Sequence, residues 1–223
     1  VATSRALGRF LSREANCLVL NADYRLAPEH PFPSGVEDAC AILRWAHANA
    51  AQLGADATQI AVGGDAPGAT YAAVAALMAR DEDLPIIFQF LLAPAIDFAS
   101  ANERKDALLE IGPVSRAAVD AAERCLLRGA ADRMDWRCSP LRAASHRGVA
   151  PAFVMVGEYD FVAPDIEAYV AALEGAGVAV AFHRWPGATH NFFSMYDRLP
   201  IARIALKAAA WQLRQGLSRP GLA

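Results

Sequence analysis

Five short apolar runs, each followed by a longer segment with helical spacing, constrain the fold of this chain more than any other feature. The runs cover residues 17–22, 59–63, 86–92, 152–156 and 178–184. The helical segments that follow them cover residues 34–53, 67–80, 115–127, 164–176 and 199–215, and one more precedes them at residues 3–15. Strands that alternate with helices form βαβ units, and these units build a parallel sheet with helices on its faces. The sequence therefore predicts an α/β fold with a mostly parallel sheet.

Length and composition indicate one domain. With 223 residues, of which 55% are hydrophobic, the chain can bury a core but is short for two ordinary domains. No internal repeat or low-complexity linker divides it. We therefore predict a single domain over residues 1–223, in which residues 97–149 form a mixed connecting segment.

Charge, hydropathy and cysteine spacing exclude several classes of function. A net charge of −3 provides no basic surface for a nucleic acid. The longest apolar stretch, residues 85–96, is shorter than the ~18 residues that a membrane span needs. The four scattered cysteines form no CxxC pair and the histidines lack ligand spacing, so no metal or other cofactor is expected. Reduced thiols of this kind are typical of a cytoplasmic protein.

Candidate functional residues follow three of the predicted strands. Residues 64–68 follow the second apolar run, residues 158–160 follow the fourth, and His190 follows the fifth. Open α/β sheets present their sites at the carboxyl ends of the strands. A tight strand–turn–helix, then an acid, then a histidine is the chain order of a Ser–Asp–His hydrolase. Without further support, His190 could equally be an ordinary surface-loop histidine.

Four stretches of the sequence resemble the hormone-sensitive-lipase-like branch of the α/β-hydrolases, whose members are carboxylesterases and lipases. These stretches are DYRLAPEHPFP at residues 23–33, GGDAPGA at 63–69, EYD at 158–160 and PGATHNF at 186–192. The resemblance extends over essentially the whole chain. It implies the α/β-hydrolase fold and a small acyl ester or small acid as the molecule bound.

The same resemblance implies a role for each site residue. Asp160 corresponds to the acid of the triad and His190 to its base. The segment Gly64, Asp65, Ala66, Pro67 and Gly68 corresponds to the nucleophile elbow. The family also often forms homodimers, through the edge strand near residues 178–184.

The nucleophile position carries the most consequential departure from the family pattern. The central residue of the elbow attacks the ester carbonyl, and here it is Ala66, whose methyl group has no nucleophilic atom. Asp65 cannot replace it, because adjacent side chains diverge on a tight elbow. The alanine is either native to this chain or a drifted or engineered change in an otherwise ordinary esterase.

Two further departures affect the oxyanion hole. One donor of the hole is the backbone N–H of the residue after the nucleophile, and Pro67 has no N–H. The other donors come from a Gly-rich HGGG loop, and this motif does not occur in the chain. Alignment with the family places that loop shortly before Val1, so we expect the chain to correspond to the C-terminal two-thirds of the family fold, without its first strands.

Other residues near these motifs are interpreted as structural. Arg25 and Glu29 are expected to pair with each other or with the backbone, and Glu158 is expected to cap a helix or form a salt bridge. Aromatic residues that could line an acyl pocket are more often core or rim; they are Phe98, Trp136, Phe192, Phe193 and Tyr196.

The sequence thus predicts a carboxylic ester hydrolase by descent, with its catalysis impaired or lost at Ala66 and Pro67. The alternative is a non-catalytic protein that binds a small molecule, such as a receptor, on the same fold.

Overall fold

A four-stranded parallel sheet forms the centre of the molecule. The structure is a computed structural model and describes residues 4–218. The strands are β1 (Ala61–Asp65), β2 (Phe88–Leu92), β3 (Ala152–Tyr159) and β4 (Val180–Thr189). They lie side by side in the order β1-β2-β3-β4, and every neighbouring pair is parallel. The parallel sheet and four of the five predicted strands are therefore confirmed.

Within residues 4–218, eight α-helices connect and cover these strands. They are α1 (Ser4–Ala15), α2 (Ser34–Asn49), α3 (Pro67–Asp81), α4 (Glu103–Ile111), α5 (Arg116–Leu126), α6 (Ala130–Met134), α7 (Ala163–Gly175) and α8 (Pro200–Leu217). Three 3-10 turns are also present, at Ala50–Leu53, Pro140–Arg142 and Phe192–Met195. Helices α4 to α6 divide the mixed segment of residues 97–149, of which the sequence predicted only α5. Among residues 4–218, no helix is both long and apolar enough to cross a bilayer.

Residues 17–22, predicted as a strand buried on both faces, are not a strand in the structure. They have no regular secondary structure, and within residues 4–218 no backbone–backbone hydrogen bond is made by residues 18–22. Leu18 and Leu20 are 67% and 48% exposed. An apolar run alone does not make a strand, because a strand also needs a neighbour whose N–H and C=O groups are in register. The described residues contain no such neighbour.

The core lies on both faces of the two central strands. All five residues of β2 and the first six of β3 are buried, as expected for parallel strands covered by helices on both sides. Small residues let two helices approach the sheet closely. Nine residues of the Ala-rich α3 are buried, and a Cβ added to Gly216 of α8 would lie 2.4 Å from the ring of Phe88. This packing fixes the carboxyl ends of the strands, where the candidate site lies.

The proline-rich loop that precedes α2 is attached to that helix by an ion pair. The Arg25 guanidinium binds both carboxylate oxygens of Asp38, at 2.8 Å for Nη2–Oδ1 and 2.9 Å for Nε–Oδ2, and lies 3.8 Å from Glu37. The prediction that Arg25 pairs with Glu29 or with the backbone is therefore wrong. The acids to which the loop binds lie instead in the first turns of α2.

Candidate active site

A sharp turn joins β1 to α3 at the predicted elbow. Asp65 ends the strand, Pro67 begins the helix, and Ala66 between them has φ 49° and ψ −119°. The Ala66 N–H donates to the carbonyl of Leu92 at 2.8 Å, and its carbonyl accepts from Thr70 N–H at 3.2 Å. Positive φ is strained for a residue with a Cβ, at a cost of roughly 1–2 kcal/mol. The surrounding hydrogen bonds hold this strained geometry although residue 66 has no functional group.

The two glycines of the elbow have different roles. A Cβ at Gly64 would lie 2.3 Å from the carbonyl carbon of Gly68, a distance at which the backbone would have to move. A Cβ at Gly68 would meet nothing within 4 Å. At Gly64 the strand and the helix therefore lie too close for a Cβ, and this contact explains the glycine there but not the one at position 68.

Proline occupies the first position of α3, where a helix ordinarily presents free N–H groups. Pro67 has no N–H, and the N–H groups of Ala69 and Thr70 donate to the Ala66 carbonyl. One donor that could face a ligand beside residue 66 is therefore absent.

Asp160 and His190 form a hydrogen-bonded pair at the ends of β3 and β4. His190 Nδ1 lies 2.9 Å from both carboxylate oxygens of Asp160, which is 1% exposed. The Asp160 carboxylate also accepts the Val162 N–H at 3.1 Å. An ionised carboxylate only accepts hydrogen bonds, so the imidazole carries a proton on Nδ1 and, when neutral, keeps Nε2 free to accept one. Phe161 packs against the imidazole, with ring centroids 5.1 Å apart.

Asp65 of the elbow lies within electrostatic reach of His190 and of Tyr24. Burial raises the pKa of Asp65, while a hydrogen bond to its own backbone and attraction to His190 partly oppose the rise. Burial also raises the pKa of Tyr24, and the negative charges of Asp65 and Asp23 add to the effect. The elbow and the His190–Asp160 pair are therefore at the same edge of the sheet.

The structure adds Tyr24 and Glu158 to the residues at this edge. Tyr24 packs edge-on against Tyr71, with centroids 5.0 Å apart. Glu158 Oε1 lies 3.7 Å from Nη2 of Arg184, which confirms the predicted salt bridge. Glu158 Oε2 also accepts the N–H of Gly187 at 2.8 Å, a contact that was not predicted. A glutamate two residues before Asp160 and a glycine three residues before His190 were the available signal.

Of the five aromatic residues proposed for an acyl pocket, two are core, and Phe98, Trp136 and Tyr196 are half-buried against it. Phe192 and Phe193 are each 2% exposed, and Tyr196 packs against Phe10 of α1 with centroids 5.2 Å apart. An open cleft of about 460 Å³ lies between α1 and the segment after it, lined in part by Val19, but it contains no residue of the candidate site. Within residues 4–218, no three His, Cys, Asp or Glu side chains are grouped to hold a metal ion.

Comparison with known proteins identifies the family. A family model described as the alpha/beta hydrolase fold matches residues 1–194. The carboxylic ester hydrolase LipN of Mycobacterium tuberculosis is 39% identical over 87% of this chain and 54% of its own length. The carboxylesterase NlhH of the same species is 34% identical over 97% of this chain and 67% of its own length. The chain belongs to the α/β-hydrolase carboxylesterase family.

Solved structures of other hydrolases have the same fold as this α/β-hydrolase. A serine-to-alanine mutant of LAE6, an α/β-hydrolase from the metagenome of Lake Arreo, has a TM-score of 0.92 and 35% identity, covering 97% of this chain and 68% of that one. A serine-to-alanine mutant of the esterase rPPE, complexed with (S)-Ac-CPA, has a TM-score of 0.92 and 28% identity, covering 98% and 70%. This α/β-hydrolase thus spans between about half and 70% of the length of these relatives.

The site of this α/β-hydrolase has side chains that can move a proton, but the turn at residues 66 and 67 has neither a nucleophile nor a hydrogen-bond donor in its side chains. His190 can accept and return a proton, and Asp160 fixes its tautomer. The methyl group of Ala66 cannot attack a carbonyl, and Pro67 cannot donate a hydrogen bond. The site therefore contains a hydrogen-bonded histidine–aspartate pair and a strained turn whose central side chain is a methyl group.

Proposed function

We propose that this chain is a carboxylesterase-family protein that keeps the Asp160–His190 pair but forms no acyl-enzyme, so that its ester hydrolysis is close to the uncatalysed rate. The single observation that carries the proposal is Ala66 at the strained turn between β1 and α3. In a serine hydrolase the residue at the elbow attacks the ester while histidine takes its proton. Here the histidine and its aspartate have no hydroxyl to deprotonate.

Magnitudes from other hydrolases support this loss. Removing the serine of a protease triad lowers kcat by about a millionfold. Removing one oxyanion-hole donor costs a further ~3–4 kcal/mol of transition-state stabilisation, although such losses do not simply add. The presence of alanine instead of serine at position 66 is therefore enough by itself to abolish useful turnover. Pro67 removes a second requirement at the same turn.

The substrate class and the alternative function follow from the relatives. The two curated relatives named above are a carboxylic ester hydrolase and a carboxylesterase, and we infer that this chain likewise binds acyl esters. A serine-to-alanine mutant of rPPE forms a complex with (S)-Ac-CPA, which favours retention of binding when the hydroxyl is absent. A non-catalytic protein that binds a small ester or acid is therefore the second candidate function.

Hydrolysis of p-nitrophenyl acetate tests the proposal. We expect the chain and its His190→Ala variant to hydrolyse the ester at the same rate, close to that of buffer. The double variant Ala66→Ser with Pro67→Ala is expected to gain activity that a third substitution, His190→Ala, removes. Turnover by the unaltered chain that depends on His190 would overturn the proposal.

Calorimetric titration with a non-hydrolysable acyl phosphonate separates the two candidate functions. Saturable binding by the inactive chain favours the binding protein. No binding by the chain, together with activity in the double variant, favours an esterase that has lost its nucleophile and its affinity together.

We propose the whole chain as one domain that forms a homodimer. The outer edge of β4 has no partner strand within residues 4–218, and Ile204 and Trp211 of α8 are 60% and 57% exposed. Edge strands of two copies can pair around a twofold axis. Light scattering should give twice the monomer mass, and Trp211→Lys should lower it; a monomer at all concentrations would contradict the dimer.

We also propose a cytoplasmic location. All four cysteines are free, and the exposed Cys125 is compatible with a reducing compartment. Fractionation of cells that express the chain would test this location.

A further inference from the structure

Pairing between β3 and β4 becomes irregular just before the strands reach Asp160 and His190. Gly157 pairs with Trp185, but the next pair joins Tyr159 to Thr189, so two steps along β3 match four steps along β4. The extra residues of β4 form a bulge. Gly187 within it has φ 71°, a conformation that favours glycine.

Gly157 lets this bulge lie close against β3. A Cβ added to Gly157 would lie 2.6 Å from the carbonyl oxygen of Ala188. In a regular ladder the N–H groups of β4 would donate to carbonyls of β3. A bulge leaves part of the ladder unpaired, and another group must then satisfy the free N–H.

Glu158 provides that group. Its Oε2 accepts the Gly187 N–H at 2.8 Å. Its other oxygen, Oε1, lies 3.7 Å from Nη2 of Arg184, whose Nε lies 3.8 Å from Glu167. The Glu158 side chain is 34% exposed, so it closes the bulge from the outside and is not part of the core.

His190 lies close to the bulge in the chain. His190 follows Gly187 by three residues, and its Nδ1 is equidistant, at 2.9 Å, from both oxygens of Asp160. Asp160 follows Glu158 by two residues on the neighbouring strand. The Glu158–Gly187 hydrogen bond therefore joins the segments that carry the two members of the pair, directly before both of them.

We propose that Glu158 is a positioning residue: its carboxylate fixes the bulge of β4 and thereby holds His190 in contact with Asp160. The inference concerns the same pair as the proposed function. It does not depend on turnover, because the contact exists whether or not esters are hydrolysed.

NMR spectroscopy of the unaltered chain and four variants tests the proposal. The readouts are the Nδ1–H resonance of His190, which lies far downfield when the proton is held by a carboxylate, and hydrogen exchange at the Gly187 amide. Glu158→Gln keeps an acceptor oxygen and loses the charge. Glu158→Asp keeps the charge but is one methylene shorter, and Glu158→Ala loses both. Glu167→Ala is the matched control, because Glu167 contacts Arg184 and Arg104 but not Gly187.

We expect the downfield resonance to persist in Glu158→Gln and Glu167→Ala, and to broaden or disappear in Glu158→Asp and Glu158→Ala. Hydrogen exchange at the Gly187 amide should accelerate about tenfold in Glu158→Asp and Glu158→Ala, the factor expected for one lost hydrogen bond. An unchanged resonance in both Glu158→Asp and Glu158→Ala would overturn the proposal. Loss of the resonance in Glu158→Gln or in Glu167→Ala would also overturn it. The loss of a negative charge, and not the loss of the hydrogen bond to Gly187, would then explain the change.

With these measurements, the role of Glu158 and the proposed function can be contradicted independently of each other. Esterase activity in the unaltered chain would contradict the proposed function and leave the role of Glu158 intact. An insensitive Nδ1–H resonance would contradict the role of Glu158 and leave the proposed function intact.

Discussion

At the scale of one residue, Ala66 keeps the strained backbone conformation of the turn although its side chain has no functional group. Its φ of 49° is enforced by the Leu92 carbonyl and by the start of α3, neither of which depends on the residue 66 side chain. The alanine was visible in the sequence, but its strain was not, because strain arises from contacts between β1, β2 and α3.

Relief of this strain gives a first prediction. We expect Ala66→Gly to raise the free energy of unfolding by about 1 kcal/mol, because glycine adopts this conformation freely. Urea denaturation measures the change. The control is Ala117→Gly on the exposed face of α5, where the same substitution should lower stability by about 0.5–1 kcal/mol. If both variants lose stability, Ala66 is not strained.

Asp65 gives a prediction about pH. Burial raises the pKa of its carboxyl group, so the folded state disfavours the charged form. The favourable contribution of this group is complete below the unfolded pKa and is lost as pH rises through the higher folded pKa. Asp65→Asn should therefore raise Tm at about pH 7.5 and have little effect at about pH 3.5.

Asp197→Asn is the matched control for that measurement, since the Asp197 side chain is 67% exposed. It should leave Tm unchanged at both pH values. A gain for Asp65→Asn that is equal at the two pH values would contradict the assignment to charge burial.

At the scale of the element, the unit formed by β1, the turn and α3 depends on one close approach. Gly64 leaves no room for a Cβ, whereas Gly68 does, although the two are symmetric in the sequence motif. We expect Gly64→Ala to destabilise the protein by several kcal/mol through backbone displacement. Gly68→Ala should be neutral or slightly stabilising, because alanine is the better helix former. Thermal unfolding of the two variants measures this difference, and equal losses would contradict it.

Most elements could be predicted from periodicity, and the exceptions have physical causes. Four apolar runs became strands because each has a parallel neighbour in register. Residues 17–22 have the same composition but no neighbour among the described residues, and the expected loss of the family's first strands was not extended to the pairing of this run. The partner of Arg25 could not be predicted either, because Asp38 comes within reach only when α2 folds back along the loop.

At the scale of the whole molecule, the fold brings the ends of β1, β3 and β4 to one edge of the sheet. The sequence placed residues 64–68, Asp160 and His190 after strands, and the structure shows their contacts or electrostatic reach. Glu158 could not be predicted as a neighbour of Gly187, because their contact depends on a bulge. The catalytic roles of these residues remain our proposal, which rests on the pairing of Asp160 with His190 beside Ala66.

Reaction with a fluorophosphonate probe, followed by intact-mass spectrometry, tests that proposal most directly. Such a probe forms a covalent adduct with an activated nucleophile next to a histidine base. We expect the mass of the unaltered chain to remain that of the unmodified protein, and the Ala66→Ser, Pro67→Ala double variant to gain one adduct at residue 66. An adduct on the unaltered chain whose formation requires His190 would show that another side chain serves as the nucleophile and would contradict the account.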